Sequence, residues 1–225
     1  MKAIAKSFLI AAATALITNA GDAAHKPAPA GHLEIPPDLC PLSGLNKDQK
    51  TSPSALTQKL NEKKNRRTAP TDTDFDSRVT IQKMLAPGKD IGRFDEARGA
   101  EITGLVIKVE QGGHPETANC GDLTEQFTDT HITVAVRKTN DLTTTLIVEV
   151  TPWWRQTMAQ RGMDWSTVKL KQTLTGHTVK FRGWLMFDLD HESESINTRP
   201  ANAAKPPWRQ TAWEIHPITA IEVVQ

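Results

Sequence analysis

From Gly99 onward, apolar side chains recur at every second position in short blocks, and this alternation restricts the chain more than any other feature. Alternate residues of a strand point to opposite faces, so a block with period two reads as a half-buried strand. Ile102 to Val109 is β-branched and apolar, with Gly104 inside it marking a bulge or bend. In His131 to Arg137, Ile132, Val134 and Val136 share one face, and His131, Thr133 and Ala135 the other. In Thr143 to Thr151, Leu146, Val148 and Val150 oppose Ile147 and Glu149. The period then lengthens over Trp153 to Lys171, which reads as a helix, or a helix plus loop, interrupted near Gly162. A strand follows at Thr178 to Asp188, then a polar loop over Leu189 to Pro207. The last strand pieces, Thr211 to His216 and Ile218 to Val224, are divided by Pro217. The order β-β-β-α-β-β predicts a mainly β fold, an OB-like five-stranded barrel over residues 99–225. Another small barrel or a sandwich covered by the helix is the alternative.

The chain before Gly99 has a different character. Residues 21–98 read as a Pro-rich extension, since Pro27, Pro29, Pro36, Pro37, Pro41 and Pro53 interrupt regular structure. One helix is expected from Ser54 to Arg67, with Leu56 and Leu60 as its apolar edge. Residues 68–98 are polar and loop-like, with a short helix near Ile81 to Leu85 stopped by Pro87-Gly88. Lys59, Lys63, Lys64, Arg66 and Arg67 stand against Glu62 alone. Such a run is either a solvated helix face or a contact for an anionic partner such as a phosphate polymer.

Residues 1–20 have the form of a secretory leader. Lys2 and Lys6 precede an uncharged run from Ser7 to Thr18, and small residues follow at Ala20 and Ala23. That run falls short of the ~20 apolar residues a bilayer span needs, and no later stretch is long enough. The expected location is the periplasm or the exterior. Without Lys2 and Lys6, the 27 basic residues become 25 against 26 acidic ones. This balance disfavours nucleic acid or anionic lipid as a general partner and leaves room for a local patch. Two cysteines, Cys40 and Cys120, can pair in an oxidising compartment. The alternatives are a buried, unpaired Cys120 and a free Cys40.

Candidate chemical groups gather on the expected barrel. Asp129 and His131 are two apart on one strand, Glu149 lies on the polar face of the next, Asp188 ends the fourth, and His191 begins the loop after it. Glu214 and His216 share a face of the fifth, and His114 and Cys120 flank the connection after the first. His131, Asp188, His191 and His216 are the candidate metal ligands. Imidazole and carboxylate suit Zn²⁺ or Mn²⁺, and a Cys120 thiolate would favour Zn²⁺. Asp129, His131, Glu149 and Glu214 are candidate acid–base groups of a metal-assisted hydrolase, for instance one resembling the thermonuclease-like OB enzymes, which use Ca²⁺. The spacing lacks HExxH, CxxC and HxH, and the same residues equally serve as structural pairs across strands.

There are six Trp and no Tyr. Trp165, Trp184 and Trp213 fit core packing. Trp153-Trp154-Arg155 and Trp208-Arg209 fall at expected barrel-rim loops, where OB folds bind oligonucleotides and oligosaccharides. The leading expectation is a binding module without a cofactor. Its ligand would be an anionic or sugar polymer, or a protein of the cell envelope.

Several phrases resemble a group of uncharacterised exported bacterial proteins. They are Leu60-Asn61 with Lys64-Asn65-Arg66, Gly104-Leu105-Val106 with Val109, Glu116-Thr117-Ala118-Asn119-Cys120 and Asp129-Thr130-His131-Ile132, then Val148-Glu149-Val150-Thr151-Pro152, Gly183-Trp184-Leu185-Met186-Phe187-Asp188 with His191, and Trp213-Glu214-Ile215-His216-Pro217-Ile218. The resemblance covers residues 57–224. It implies secretion and an OB-like core and brings no activity.

Overall fold

The computed structural model describes residues 33–112 and 115–224. Residues 1–20, where a leader is expected, and His114 lie outside the described residues. The alternating blocks form five strands: β1 (Gly99–Gln111), β2 (Thr130–Ala135), β3 (Leu146–Val150), β4 (Thr178–Phe187) and β5 (Trp213–Val223). They close into a barrel in the order β1-β2-β3-β5-β4. Neighbours are antiparallel except β3 and β5, which meet in parallel at Val148 and Ile215. The OB-like barrel is the fold.

Closure depends on the long first strand serving two neighbours. Gly99–Leu105 pairs with β4 and Leu105–Gln111 with β2. The register against β2 shifts between Val106 and Lys108, beyond the expected Gly104; Gly104 instead allows close packing, since a Cβ there would stand 2.5 Å from both Ile81 Cδ1 and Val134 Cγ1. Between β3 and β4 the chain makes α3 (Pro152–Gln160) and α4 (Thr167–Leu174), parted near Gly162, whose φ is +78°. Thr151 caps α3 by accepting from the Trp154 N–H, with Pro152 at the first helical position.

Three expected strand limits move. β2 stops at Ala135, so Val136 leaves the apolar face and is 51% exposed. Leu142–Thr144 is a 3-10 turn capped by Asp141, and β3 begins at Leu146. The two last pieces are one strand, because β5 runs through Pro217. It does so with register shifts opposite Gly183. A Cβ there would collide with the Pro217 carbonyl oxygen and lie 2.6 Å from Ile215 Cγ2.

The residues before Gly99 are part of the same core. Val79, Ile81 and Met84 from α2 (Ile81–Met84) and its approach join Ile102, Val134, Val148, Phe181 and Ile215 in one apolar cluster. The change at residue 99 is therefore one of secondary structure, not a break in packing. α1 (Ala55–Lys64) turns Leu60, Asn61 and Lys64 inward, while Leu56 is 67% exposed and forms no apolar edge. The basic run mostly grips its own protein. Lys63 pairs with Glu96 at 2.5 Å, Arg66 donates to the Glu96 and Leu185 carbonyls, and Arg67 donates to those of Pro37 and Cys40. Of these cations Lys63 is matched by a carboxylate, while Arg66 and Arg67 give donors to backbone carbonyls.

Cys40 and Cys120 form a disulfide with Cα atoms 5.9 Å apart. The bond fixes the start of the described chain to the segment just before β2. It also removes Cys120 as a thiolate ligand. Among the described residues no helix is long and apolar enough to cross a membrane.

Replacing both cysteines by serine removes a cross-link between residues 80 apart and is expected to lower unfolding free energy by about 4 kcal/mol, read from denaturant midpoints. Gly183→Ala, which places a methyl group against the Pro217 carbonyl, is expected to lower it by about 2 kcal/mol in the same assay.

Candidate functional site

The polar positions of β2, β3 and β5 face away from the apolar cluster on three adjacent strands. Register brings them together: His131 lies directly opposite Glu149, and Val148 opposite Ile215 sets Glu149 beside Glu214 and His216. On a bare barrel this wall would meet water. Here α1, the segment from Glu116 to Asp129 and the β4–β5 connection cover it, and Asp129, Glu149, Glu214 and His216 are each no more than 5% exposed.

Within the wall, Glu149 Oε2 lies 3.3 Å from both His131 Nε2 and His216 Nδ1. His216 Nδ1 also faces Glu214 Oε2 at 3.4 Å, and His216 Nε2 lies 3.9 Å from Asp129 Oδ2. Arg209, itself 1% exposed, donates to Glu214 at 2.6 Å and stands 3.6 Å from Asp188. Asp188 accepts from His191 Nδ1 at 2.6 Å. Asn119 donates to Asp129 Oδ2 at 3.1 Å. From the roof, Lys64 reaches Glu116 at 3.1 Å and Asp190 at 3.6 Å.

Six carboxylates, Asp129, Glu149, Glu214, Asp188, Glu116 and Asp190, thus share two permanent cations, Lys64 and Arg209. The imidazoles respond to that excess. Burial works against charge on His131, yet Glu149, with Glu116 and Asp129, raises it to about 10. Burial likewise opposes charge on His216, while Glu149, Glu214 and Asp129 raise it to about 9. Burial lifts Asp129 to about 6 against the pull of His216. Glu149 is buried too, but His131, His216 and Lys64 hold it well below the usual carboxylate range. Burial raises Glu214 despite Arg209. Lys64 is raised well above its ordinary value, since Glu116, Asp188 and Glu149 outweigh its burial.

A cleft of about 550 Å³ opens over this wall, lined by Lys64, Glu116, His131, Asp190, His191 and Trp208 among others. The Trp208 indole donates to Glu194 Oε2 at 2.6 Å and meets His191 edge-on at 5.7 Å.

The sequence candidates divide between two neighbouring groups. Asp129, His131, Glu149, Glu214 and His216 form one, while Asp188 and His191 form a second, joined to it through Arg209. His191 therefore does not share a centre with His131 and His216.

The Trp-Arg pairs expected at rim loops are mostly structural. Arg155 lies in α3 and donates to the carbonyls of Glu125, Gln126, Thr128 and Trp165 and to the Thr130 hydroxyl, which leaves its guanidinium nothing for a ligand. The Trp154 indole N–H is bound to the Arg66 carbonyl, and Trp153 lies under Arg67 with 4.4 Å from guanidinium carbon to ring centroid. Arg209 is buried as described, so Trp208 is the one member of the two pairs that lines the cleft.

Glu116, Asn119 and Asp190 were not sequence candidates, and Lys64 was one only as part of the basic run. The signal available for Lys64, Glu116 and Asn119 was their place in the phrases Lys64-Asn65-Arg66 and Glu116 to Cys120. Comparison with known protein families, with curated proteins and with solved structures finds no match.

The Asp188–His191 pair sets a pH window. Burial disfavours the His191 cation, but Asp188 raises it above 6.5, with Glu194 and Glu214 adding negative and Arg209 positive charge nearby. Burial disfavours the Asp188 anion, but His191, Lys64 and Arg209 hold it well below 3.8. The histidine contribution is complete below pH 6.5 and fades as pH rises through the raised value. The aspartate contribution is complete above pH 3.8 and fades as pH falls through the lowered one. His191→Gln is therefore expected to cost about 2 kcal/mol between pH 4 and 6.5, with the deficit shrinking toward pH 9, read from thermal midpoints across pH.

Proposed function

We propose that the chain is an exported, OB-like binding module whose ligand is neutral and polyhydroxylated, such as a glycan segment of the cell envelope. The observation that carries this reading is Trp208 standing in a cleft whose charged groups are already paired with one another. Lys64 is matched by Glu116 and Asp190, and Lys108 by Glu110 at 2.6 Å. A polyanion needs uncompensated cations to release its counterions, and every lysine and histidine lining this cleft already faces a carboxylate. Sugar hydroxyls instead accept and donate hydrogen bonds to such pairs, while the apolar face of a sugar ring stacks on indole. OB-type barrels use this kind of surface for oligosaccharides.

Export is supported by the leader-like first 20 residues and by the Cys40–Cys120 disulfide, which persists in oxidising compartments. The resemblance to exported bacterial proteins points the same way. The second reading, a metal-assisted hydrolase with a nuclease-like arrangement on the barrel, is favoured by one specific observation, the unpartnered donor atoms of Asp129, Glu149 and His216.

Intrinsic fluorescence titrated with neutral glycan fragments and with single-stranded oligonucleotides tests the binding reading. Glycan fragments are expected to change the emission, and Trp208→Ala to weaken that binding roughly 10-fold, about 1.4 kcal/mol, with Trp153→Ala close to wild type. Tighter binding of oligonucleotides, or no response to either class, overturns it.

A further inference from the structure

Four potential ligand atoms of the buried wall make no hydrogen bond: Asp129 Oδ1, Glu149 Oε2, His131 Nε2 and His216 Nε2. Glu149 Oε2 and His131 Nε2 face each other only as an ion pair, at 3.3 Å. The carboxylate oxygens are acceptors, the imidazole nitrogens become ligand atoms on release of their protons, and a buried polar atom is costly to leave without a hydrogen bond. The four do not lie scattered through the protein. One donor atom from each of Asp129, Glu149 and His216 can be chosen so that all lie within 4.8 Å of one another. His131 stands just outside that group of three, with its Nε2 3.3 Å from Glu149 Oε2. Ligands at ~2.1 Å from a shared ion stand up to ~4.2 Å apart, so a small inward rotation closes the three and a larger one brings in His131.

The surrounding residues orient the group as supports of a metal centre do. Glu214 takes the Nδ1 side of His216, which leaves Nε2 bare, and Arg209 in turn holds Glu214 at 2.6 Å. A carboxylate on the far nitrogen of a ligand imidazole fixes its tautomer and direction. Asn119 takes Asp129 Oδ2, which leaves Oδ1 bare. The excess of carboxylate over permanent cation around the site also favours a divalent ion.

We propose that Asp129, Glu149, His131 and His216 form a binding site for a divalent transition-metal ion beneath the cleft, with Glu214 and Asn119 as positioning residues. Two imidazole nitrogens with two carboxylate oxygens suit Zn²⁺ first and Mn²⁺ second, and disfavour Ca²⁺, which takes oxygen ligands. Three of the ligands are sealed in the wall, while the His131 side chain is 17% exposed and lines the cleft, so the ion reaches solvent on that side alone. This assignment rests on the orphaned donors and holds whatever fills the cleft.

The test uses the full disulfide-bonded chain after treatment with a chelator. Equilibrium dialysis against Zn²⁺, Mn²⁺ and Ca²⁺, followed by elemental analysis, is expected to return one Zn²⁺ per chain and no retained Ca²⁺. Co²⁺ loading is expected to give visible absorption bands characteristic of nitrogen and oxygen coordination. His131→Gln, at the ligand nearest the cleft, is expected to weaken Zn²⁺ binding by roughly 10-fold or more in a folded protein. His191→Gln, outside the site, should leave the stoichiometry at one. Asp129→Asn keeps the side-chain shape and is a second ligand variant, with folding checked by circular dichroism. A folded wild-type chain that retains no Zn²⁺ overturns the proposal, as does wild-type Zn²⁺ affinity in both His131→Gln and Asp129→Asn. Trp208→Ala separates this site from the glycan reading, because it should weaken glycan binding while keeping the metal. Either reading can thus fail alone.

Discussion

A charge removed from water must find an opposite charge or a hydrogen bond at contact distance, and the outer wall of β2, β3 and β5 is organised by that requirement. Strand register places Glu149 between His131 and His216, but register alone would leave these groups facing solvent. The roof encloses them, and the roof is itself fastened by charge. Lys64 on α1 reaches Glu116 and Asp190, and Asn119 reaches Asp129. Wall and roof are therefore one cooperative unit. The extension has few apolar contacts of its own on α1, where Leu60 is the buried hydrophobe, so its order comes largely from the barrel it covers.

The same logic explains where reading the sequence succeeds. β2, β3 and β4 were legible because each carries one alternating apolar face, whereas the irregularity of β1 falls between Val106 and Lys108 and the glycine inside its β-branched run serves close packing. The residues of the wall were legible as a shared face, since spacing of two along a strand fixes that much. Their burial was not. It depends on a roof built from segments without periodicity, whose placement is set by a disulfide and by single ion pairs far apart in sequence. β5 was read as two pieces because Pro217 breaks a regular ladder. The strand accommodates it with register shifts opposite a glycine, a pairing visible only across strands.

The Trp-Arg dipeptides show how local chemistry misleads. An arginine beside a tryptophan looks like a grip for a ligand, yet a guanidinium carries five donors in a fixed fork, and backbone carbonyls satisfy them as well as a phosphate does. Arg155 takes carbonyls from the Glu125–Thr128 turn and from Trp165, and so joins to α3 two pieces of irregular chain that have no ladder of their own. Arg209 does comparable work among buried carboxylates. In both places arginine replaces secondary structure as the organiser. The aromatic neighbour left at the cleft, Trp208, owes its position to Glu194 and to the arginine beneath it, 5.4 Å from the ring centroid.

The Cys40–Cys120 bond also settles how the chain carries tension. A pull applied ahead of Cys40 passes directly through sulfur to Cys120 and on into β2, by-passing the 80-residue interval that holds α1, α2 and β1. That interval bears no load, so the stretched molecule is shorter by about 280 Å than its reduced form would be. Glu116 and Asn119, which fasten the roof to the wall, lie inside the slack loop within four residues of its anchor. The first elements to feel the force are β2 and the strands after it, while the helix that covers them stays out of the mechanical path.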